Sequence, residues 1–544
     1  MRSSRLFHFL QKAFLTTGVF LLSLSCGMVE KRIDQTAGGP NRKADTAVYM
    51  TSDTRREPEN RPPTPLPKGP LKLTTIDAVL LSLENNRSLV VEQLNPSIRK
   101  TFEDTERAVF DPVTNAEISA GREDGERLAR AGPATETYRS DGVGGLISLK
   151  QFFPTGTTVS LEATSEMDNS SLYRDTFYWT RLGMSLNQAI LRGYGTEVNL
   201  VRLRQARLET RMSEFELRGF TQALVAEVEQ TFWDYALAMR QVEIFEESLK
   251  IARQQLDDTQ ALIDVGRLAK SELPAVQAEL AAQEQGLINA KSNRDSVRLK
   301  LLRLLNPPGP DLWSRKLDLI YQPTLPEVTL EDVESYVKVS MRMRPILNET
   351  RLRVLSDDLE LVKTKNGLLP LLDLFITLGK SGYASSFGGS IRDLDGSSYD
   401  AFAGLKFQYP IFNRQAKSLH QRALLRREQE EKALQNLSQL VEVDVRNAYI
   451  EVNRAKQQIA ASRATRIFNE ESLRVETEKL RVGKSTSLLV AQAQRDLLVS
   501  RIEEVQALVN YIKALINLYL QDGSLLDRRG VGAPGNKPVT LTSN

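Results

Sequence analysis

The sequence predicts a mixed α and β chain, in which short strands alternate with very long antiparallel coiled-coil helices and the whole arrangement occurs twice. Three observations predict it. Segments such as Leu372, Leu374, Ile376 and Leu378 against Asp373 and Thr377 alternate with a period of two, the pattern of a strand with one apolar face. Val228, Phe232, Tyr235, Met239, Val242, Leu249, Ala252, Leu256 and Ile263 recur at spacings of three, four or seven, the seam of a coiled coil. Finally, Ala261 to Leu268 matches Glu478 to Ser485, with Val265 and Val482 lying 217 positions apart (482 − 265). At that offset Val228 falls on Val445, Phe232 on Tyr449, Leu256 on Leu473 and Ile263 on Leu480, so the register holds across a whole helix.

From the amino terminus, Arg2, Arg5 and Lys12 precede an apolar run from Ala13 to Leu24 and small residues around Cys26, which is the layout of a secretory signal. The run is shorter than the roughly 20 residues of an anchoring helix, and no later uncharged segment reaches that length. No transmembrane helix is expected after residue 26. Cys26, the one cysteine of the chain, resembles a lipoprotein cysteine, although Ser23 stands where such sites usually carry leucine; with no second cysteine there is no disulfide framework or thiolate cluster. Residues 27–72 are polar, with prolines at 58, 62, 63, 65, 67 and 70, and read as an extended linker.

Residues 73–309 form the first repeat and 310–526 the second, divided at Pro307, Pro308 and Pro310. Each opens with a short amphipathic helix at Thr75 or Thr329, the threonine serving as N-cap, and continues with a second helix over 87–108 or 345–365. Strands follow at Ala116, Ile118 and Ala120, at Val159, Leu161 and Ala163, at 372–378, and at Ala401, Ala403, Leu405, Phe407 and Tyr409. A helix from Thr196 to Leu262 would have 67 positions and, at 1.5 Å per residue, a length of roughly 100 Å, which no compact globular domain holds. The pattern resumes with Val276, Leu280, Leu287, Ala290, Val297 and Leu301, and in the second half with Leu498, Ile502, Val505, Val509, Ile512 and Ile516. Each Val-Gly is then the turn of a long helical hairpin, with glycine supplying positive φ. Residues 527–544 read as a disordered tail.

Lys plus Arg at 72 against Asp plus Glu at 69 leaves a net charge of +3, too balanced to draw nucleic acid by bulk electrostatics. Three motif fragments carry no chemistry. Gly483-Lys484-Ser485 lacks the glycine of a phosphate-binding loop five residues earlier, where Glu478 stands. Asp393 to Gly396 has no closing glutamate for a calcium loop. His8 leaves with the signal, so His420 alone cannot build a histidine cluster. No nucleophile, base or ligand constellation emerges: no enzyme and no cofactor is expected.

The strand-to-helix passage Leu186 to Gly195 (Leu-Asn-Gln-Ala-Ile-Leu-Arg-Gly-Tyr-Gly), its counterpart Leu405 to Asn413 (Leu-Lys-Phe-Gln-Tyr-Pro-Ile-Phe-Asn) and the two Val-Gly tips resemble the TolC-like outer-membrane efflux protein family, over about residues 73–526. The resemblance implies a homotrimer in which each subunit gives four strands to a shared 12-stranded membrane β-barrel, continued by a helical tunnel into the periplasm. It implies a channel of the cell outer membrane, in contact with its lipid, that works with a periplasmic adaptor protein and an inner-membrane pump in efflux or type I secretion. Strand edges cannot be left open in lipid, so sharing a barrel among subunits agrees with the physics. Tyr178, Trp179 and Tyr409 would suit an interfacial belt. Family tips meet the adaptor, which assigns that contact here to Val265, Gly266 and Arg267 and to Val482, Gly483 and Lys484, beside Lys270 and Arg481. Where some relatives carry acidic gates, six and nine residues after the second tip glycine, this chain has Leu489 and Gln492, an apolar and amide constriction.

The first half departs from the family pattern in a stretch from about Glu123 to Thr176, read as an extracellular hairpin turning at Pro154 to Gly156. The alternative to a channel is a non-conducting periplasmic coiled-coil lipoprotein that spaces membranes. Strand pairs at matching places in both halves favour the channel, since a pure coiled coil has no use for them.

Overall fold

A computed structural model describes residues 69–128, 132–171, 175–309, 312–320 and 328–541. The signal segment, Cys26 and the Pro-rich stretch to residue 68 lie outside the described residues. The chain divides into two compact units. Among the described residues, one is drawn from 99–209 and 353–430, the other from 69–98, 210–352 and 431–541.

The first unit holds the sheet. In chain order, its strands are β2 (Val113–Leu128), β3 (Thr135–Phe153), β4 (Thr157–Ser170), β5 (Phe177–Ala189), β7 (Leu371–Ala384) and β8 (Tyr399–Gln408), β1 and β6 being two short strands of the other unit. All six pair antiparallel in the order β2-β3-β4-β5-β7-β8, and the sheet is open, with β2 and β8 at its edges. The structure therefore corrects the expected strand number: six strands, not four, come from the described residues of one chain. Each has 10 to 19 residues, at least the 9 to 11 or so that cross a bilayer.

The extra strands come from the stretch read as an extracellular hairpin, and that reading is corrected too. Its turn does form at Pro154 to Gly156, closed by the Gly156 N–H donating to Phe153 O (2.9 Å). The turn sits where the long helix departs, because Gly195 N–H donates to Thr155 O (3.1 Å) and Asn199 Nδ2 to Pro154 O (3.0 Å) and Gly193 O (2.8 Å). Gly156 has φ 87°, and a Cβ there would lie 2.2 Å from Gly193 O, so only glycine fits. The far end is a charged β2–β3 extension, in which Arg122 pairs with Asp141, Arg139 with Asp124 and Arg127 with Glu136.

The second unit carries most of the apolar core, and the helices are divided between the two units. Helices α1 (Thr75–Asn85) and α2 (Arg87–Glu92) lead into α3 (Leu94–Arg107); a one-turn α4 (Thr196–Asn199) precedes the 64-residue α5 (Val201–Asp264), and α6 (Leu273–Leu305) returns. The second half supplies α7 (Val333–Met343), α8 (Pro345–Gly367), a short α9 (Phe387–Arg392) between β7 and β8, the 68-residue α10 (Arg414–Arg481), α11 (Ser487–Gln521) and α12 (Leu525–Arg528). The N-caps are Thr74 and Asp332 rather than Thr75 and Thr329; Thr74 and Asp77 bond reciprocally, a capping box that Thr75 cannot make. The helix expected over 87–108 is broken at Gln93.

Core side chains are those of the helical seam. Val225, Val228 and Phe232 of α5 pack with Leu301 and Leu305 of α6, Val445 and Val452 of α10 and Leu515 and Leu518 of α11. Strand β1 (Leu71–Leu73) pairs parallel with β6 (Leu317–Leu319), so order begins before the expected linker boundary at 72. The tail is also corrected as far as Leu541. Arg218, buried on α5, donates to Asp527 (3.1 Å) and Ala533 O (3.4 Å), Arg529 pairs with Glu229, and Val539 is buried with its N–H on Asn348 Oδ1 (2.8 Å). The polar Gly/Pro composition concealed these anchors, which are ion pairs, backbone bonds and isolated apolar residues, Val531 and Ala533 packing against the core, rather than a periodic hydrophobic pattern.

One buried acid makes this region pH-sensitive. Asp522 caps the end of α11, its Oδ1 accepting from Ser524 N–H (2.7 Å) while Oδ2 is buried without a hydrogen bond. Burial pushes its carboxyl from the ordinary 3.8 up to about 6, and a negative charge at a helix carboxyl end is unfavourable in itself. The folded chain then binds this proton more tightly than the unfolded one, so its contribution to stability is fully present below about pH 4 and is lost as pH rises through about 6. Thermal unfolding at pH 5 and pH 7 should show a drop across that interval that Asp522→Asn largely removes. An equal drop in the variant would acquit this residue.

Candidate functional site: helical tips and strand wall

Both helical hairpins reverse by the same device. At the first tip Gly266 has φ 74°, its N–H donates to Ile263 O (2.9 Å), and the Arg267 N–H donates to Leu262 O (2.9 Å). At the second, Gly483 has φ 73°, its N–H donates to Leu480 O (3.0 Å), and the Lys484 N–H donates to Lys479 O (2.8 Å). This is the paired Schellman closure, in which a left-handed glycine lets two N–H groups satisfy the last carbonyls of the helix. It leaves Val265 and Val482 at the apices, 68% and 67% exposed, beside the exposed cations Arg267, Lys270, Arg481 and Lys484. Arg481 pairs with Glu478 (3.1 Å).

The two tips are tied together. Glu272, in the turn after the first tip, accepts from the Ser487 N–H at the start of α11 (2.8 Å), where the orphan N–H groups of a helix amino terminus favour a carboxylate. Thr486 caps the same helix, its hydroxyl accepting from Leu489 N–H (3.4 Å). The tie joins residues 215 apart, and no local pattern announces it. Leu489 and Gln492 lie one turn apart on the exposed side of α11, whereas Val490, Ala491 and Ala493 point into the packing.

The wall of the sheet has two chemically distinct faces. Residues opposite one another on neighbouring strands share a face. One rung runs Thr114, Leu149, Leu161, Met184, Leu378, Ala401 across all six strands, and the next runs Asn115, Ser148, Glu162, Gly183, Gly379, Asp400. The first face is mainly apolar, with Lys380 near one end, and the second mainly polar, with Phe375 and Phe402 among its residues. Tyr178 lies on the apolar face at one end of β5, and Tyr409 follows the apolar-face Phe407 at the opposite end of β8; Trp179, grouped with them from sequence, lies on the polar face, because neighbours along a strand alternate.

On the polar face Arg181 of β5 reaches across β7 to Asp400 of β8, with Nη2 to Oδ2 at 2.7 Å and Nε to Oδ1 at 3.2 Å. The bridge passes over Gly379, where a Cβ would meet Asp400 Oδ1 at 2.2 Å and Arg181 Nη2 at 2.7 Å. Sequence reading missed this pair; an arginine and an aspartate in strands 219 residues apart give no local signal.

Two amphipathic wall faces and two capped helical hairpins are the parts of a channel built from strands and helices. The sequence matches the family described as outer membrane efflux protein over residues 150–307 and 342–524, well over half of the chain. The chain belongs to the outer membrane efflux protein family. Like the family, it is an outer-membrane exit duct that extends into the periplasm, and the family consists of channels, not enzymes. The match spans β4, β5, β7, β8 and the long hairpins, but not β2 or β3 before residue 150. Among solved structures, the fold is similar to CusC (17% identity, 82% of this chain and 92% of that chain covered, TM-score 0.61). It is similar also to the Campylobacter jejuni CmeC outer membrane channel (15%, 83% and 86%, 0.60) and to the open state of the Neisseria gonorrhoeae MtrE channel (16%, 83% and 89%, 0.57). No curated protein matches it in sequence. Among the described residues, no helix is long and apolar enough to cross a membrane.

Proposed function

We propose that the protein works as a homotrimeric, passive duct that receives its cargo from an inner-membrane pump through a periplasmic adaptor and releases it outside the cell. The open sheet carries the reading. A single chain leaves two strand edges unpaired, and in lipid each unpaired backbone group costs several kcal/mol, so copies must share a closed wall. With the apolar face toward lipid, the Arg181–Asp400 bridge and Glu162 face the lumen, where width and charge rather than chemistry set selectivity.

In this reading the tips Val265-Gly266-Arg267 and Val482-Gly483-Lys484 meet the adaptor. Exposed apolar knobs ringed by cations suit a partner with small apolar sockets and acidic rims. Leu489 and Gln492 form the narrowest ring of the tunnel, and Cys26 carries a lipid that supplements the strand wall as an anchor. The region from 73 to 526 acts as two repeats behind a spacer and a signal within 1–26 that is cleaved before Cys26.

Gly483→Pro tests the tip. Proline cannot take φ 73° and has no N–H for Leu480 O, so the second apex should lose its shape while the strand wall still assembles. The expected result is normal trimer in the outer membrane, adaptor binding weakened by at least tenfold and export abolished. Unaltered adaptor binding and export would remove these residues from the interface.

A further inference from the structure

We propose that this channel closes its membrane wall with six strands from each of three copies, an 18-stranded barrel in which β8 of one copy pairs with β2 of the next. The inference rests on the trimeric reading above and adds what that reading leaves open: which strands line the wall, and how wide it is.

The face chemistry of β2 and β3 is the decisive observation, since the family match leaves out β2 and all of β3 before residue 150. Were they an appendage in water, their two faces would have no reason to follow the pattern of the other four strands. Instead the apolar side continues through Val143, Ile147 and Leu149 of β3 and Ala116, Ile118 and Ala120 of β2, and the polar side through Ser148 and Gly144 of β3 and Asn115, Glu117 and Ser119 of β2, with Leu146 its one large apolar residue at these levels. Ile118 is 88% exposed and shares the apolar side with Leu161 and Met184, not with any protein partner. An apolar stripe of this kind, continuous with a lipid-facing surface, is itself lipid-facing.

Above Ala120 and Val143 the character changes abruptly. Arg122, Asp124, Arg139 and Asp141 occupy the side that is apolar below, and Glu123 and Tyr138 the other. Arginine on the lipid side at mid-bilayer costs about 2–4 kcal/mol, so the hairpin leaves the membrane at that level. Its lower part is wall and its upper part a projecting, ion-paired extension.

The edges are fitted to each other. β2 and β8 are the two unpaired strands, and both are solvent-exposed along nearly their whole lengths. Six is an even number, so β8 runs opposite to β2 and the junction between copies is antiparallel like every junction within a copy. Phe407 and Leu405 on β8, 67% and 64% exposed, then face lipid on the same side as the apolar residues of the neighbour's β2. Barrel diameter grows roughly in proportion to strand number, making this wall about half again as wide as one of 12 strands.

Cysteine pairs in the full chain test the junction. One cysteine is placed at Thr114, Ala116, Ile118 or Ala120 of β2 and the other at Ala401, Ala403, Leu405 or Phe407 of β8, covering the unknown shear between copies. The strands lie at opposite edges of one sheet, so a bond between them joins two copies. The comparison set pairs the same β8 positions with Val159, Leu161 and Ala163 of β4, the edge that would be used if β2 and β3 stood outside a 12-stranded wall. Oxidation in outer membranes followed by denaturing electrophoresis should give dimer and trimer bands at one register of the β2–β8 set and none in the β4–β8 set. The reverse pattern overturns the proposal while leaving the trimer intact. Detergent mass separates the two levels: a non-trimeric particle overturns the reading on which the count rests, and the count with it. Deleting residues 129–174, which joins β2 directly to β5 at the end where β3 begins and β4 ends, should leave a trimer whose wall, counted by electron cryomicroscopy, falls from 18 strands to 12. A full-length trimer already showing 12 strands would refute the inference.

Discussion

Arg529→Ala should cost the folded protein about 3–5 kcal/mol, the range for stranding a buried charge, and abolish export by loss of folded channel. Glu229 is 1% exposed on α5, and Arg529 holds both its oxygens, with Nε to Oε1 at 2.5 Å and Nη2 to Oε2 at 2.9 Å. The two-pronged geometry matches guanidinium to carboxylate. Truncating the arginine leaves the carboxylate in a packed interior with no countercharge. The cost therefore arises from Glu229, and replacing the pair together by Glu229→Leu and Arg529→Met should recover most of the lost stability. Unfolding in denaturant of the single and double variants separates the two cases. A single variant as stable as the parent would show that the ordered tail contributes nothing to the fold.

A charge on the wall should act with opposite outcomes on adjacent residues. Leu378 lies on the apolar rung and Thr377 on the polar side of the same strand. Leu378→Arg is expected to cost about 2–4 kcal/mol per copy at mid-membrane, three times over in a trimer, and to remove the channel from the outer membrane. Thr377→Arg should assemble normally and shift ion selectivity toward anions, since a lumenal cation meets water. Membrane fractionation and reversal potentials read both. If both variants assembled equally, the assignment of faces would be wrong.

Much of this was legible in the sequence because the signals are local and long. Seam residues such as Val228, Phe232 and Ile263 are buried as their spacing demanded, and the tip glycines carry the positive φ that their place after a helix implied. The strands at 372–378 and 401–407 followed from alternation alone. Of β2, only Ala116 to Ala120 reads as a strand in the sequence; the rest of it and β3 are under-read because alternation there is diluted: Gly121 and Gly125 interrupt β2, Gly142, Gly144 and Gly145 interrupt β3, and the charged extension imposes ion-pair chemistry on both faces. A hairpin with few apolar residues looks like a loop until its register against a neighbour is known. The remaining features were invisible for a different reason. The bonds from Glu272 to Ser487, Arg181 to Asp400 and Arg529 to Glu229 join residues more than 200 positions apart, and one chain offers no periodicity from which to infer them.

The resemblance to a known family and the physics of the sheet converge on one claim, that copies of this chain close into a conducting pore. Single-channel recording of purified protein in planar bilayers, with its oligomeric mass measured in the same detergent, tests that claim most directly. Discrete, reproducible conductance steps from a trimeric particle are the predicted result. A particle that inserts but never conducts, or a monomer in detergent, would contradict the duct and favour a periplasmic coiled-coil spacer.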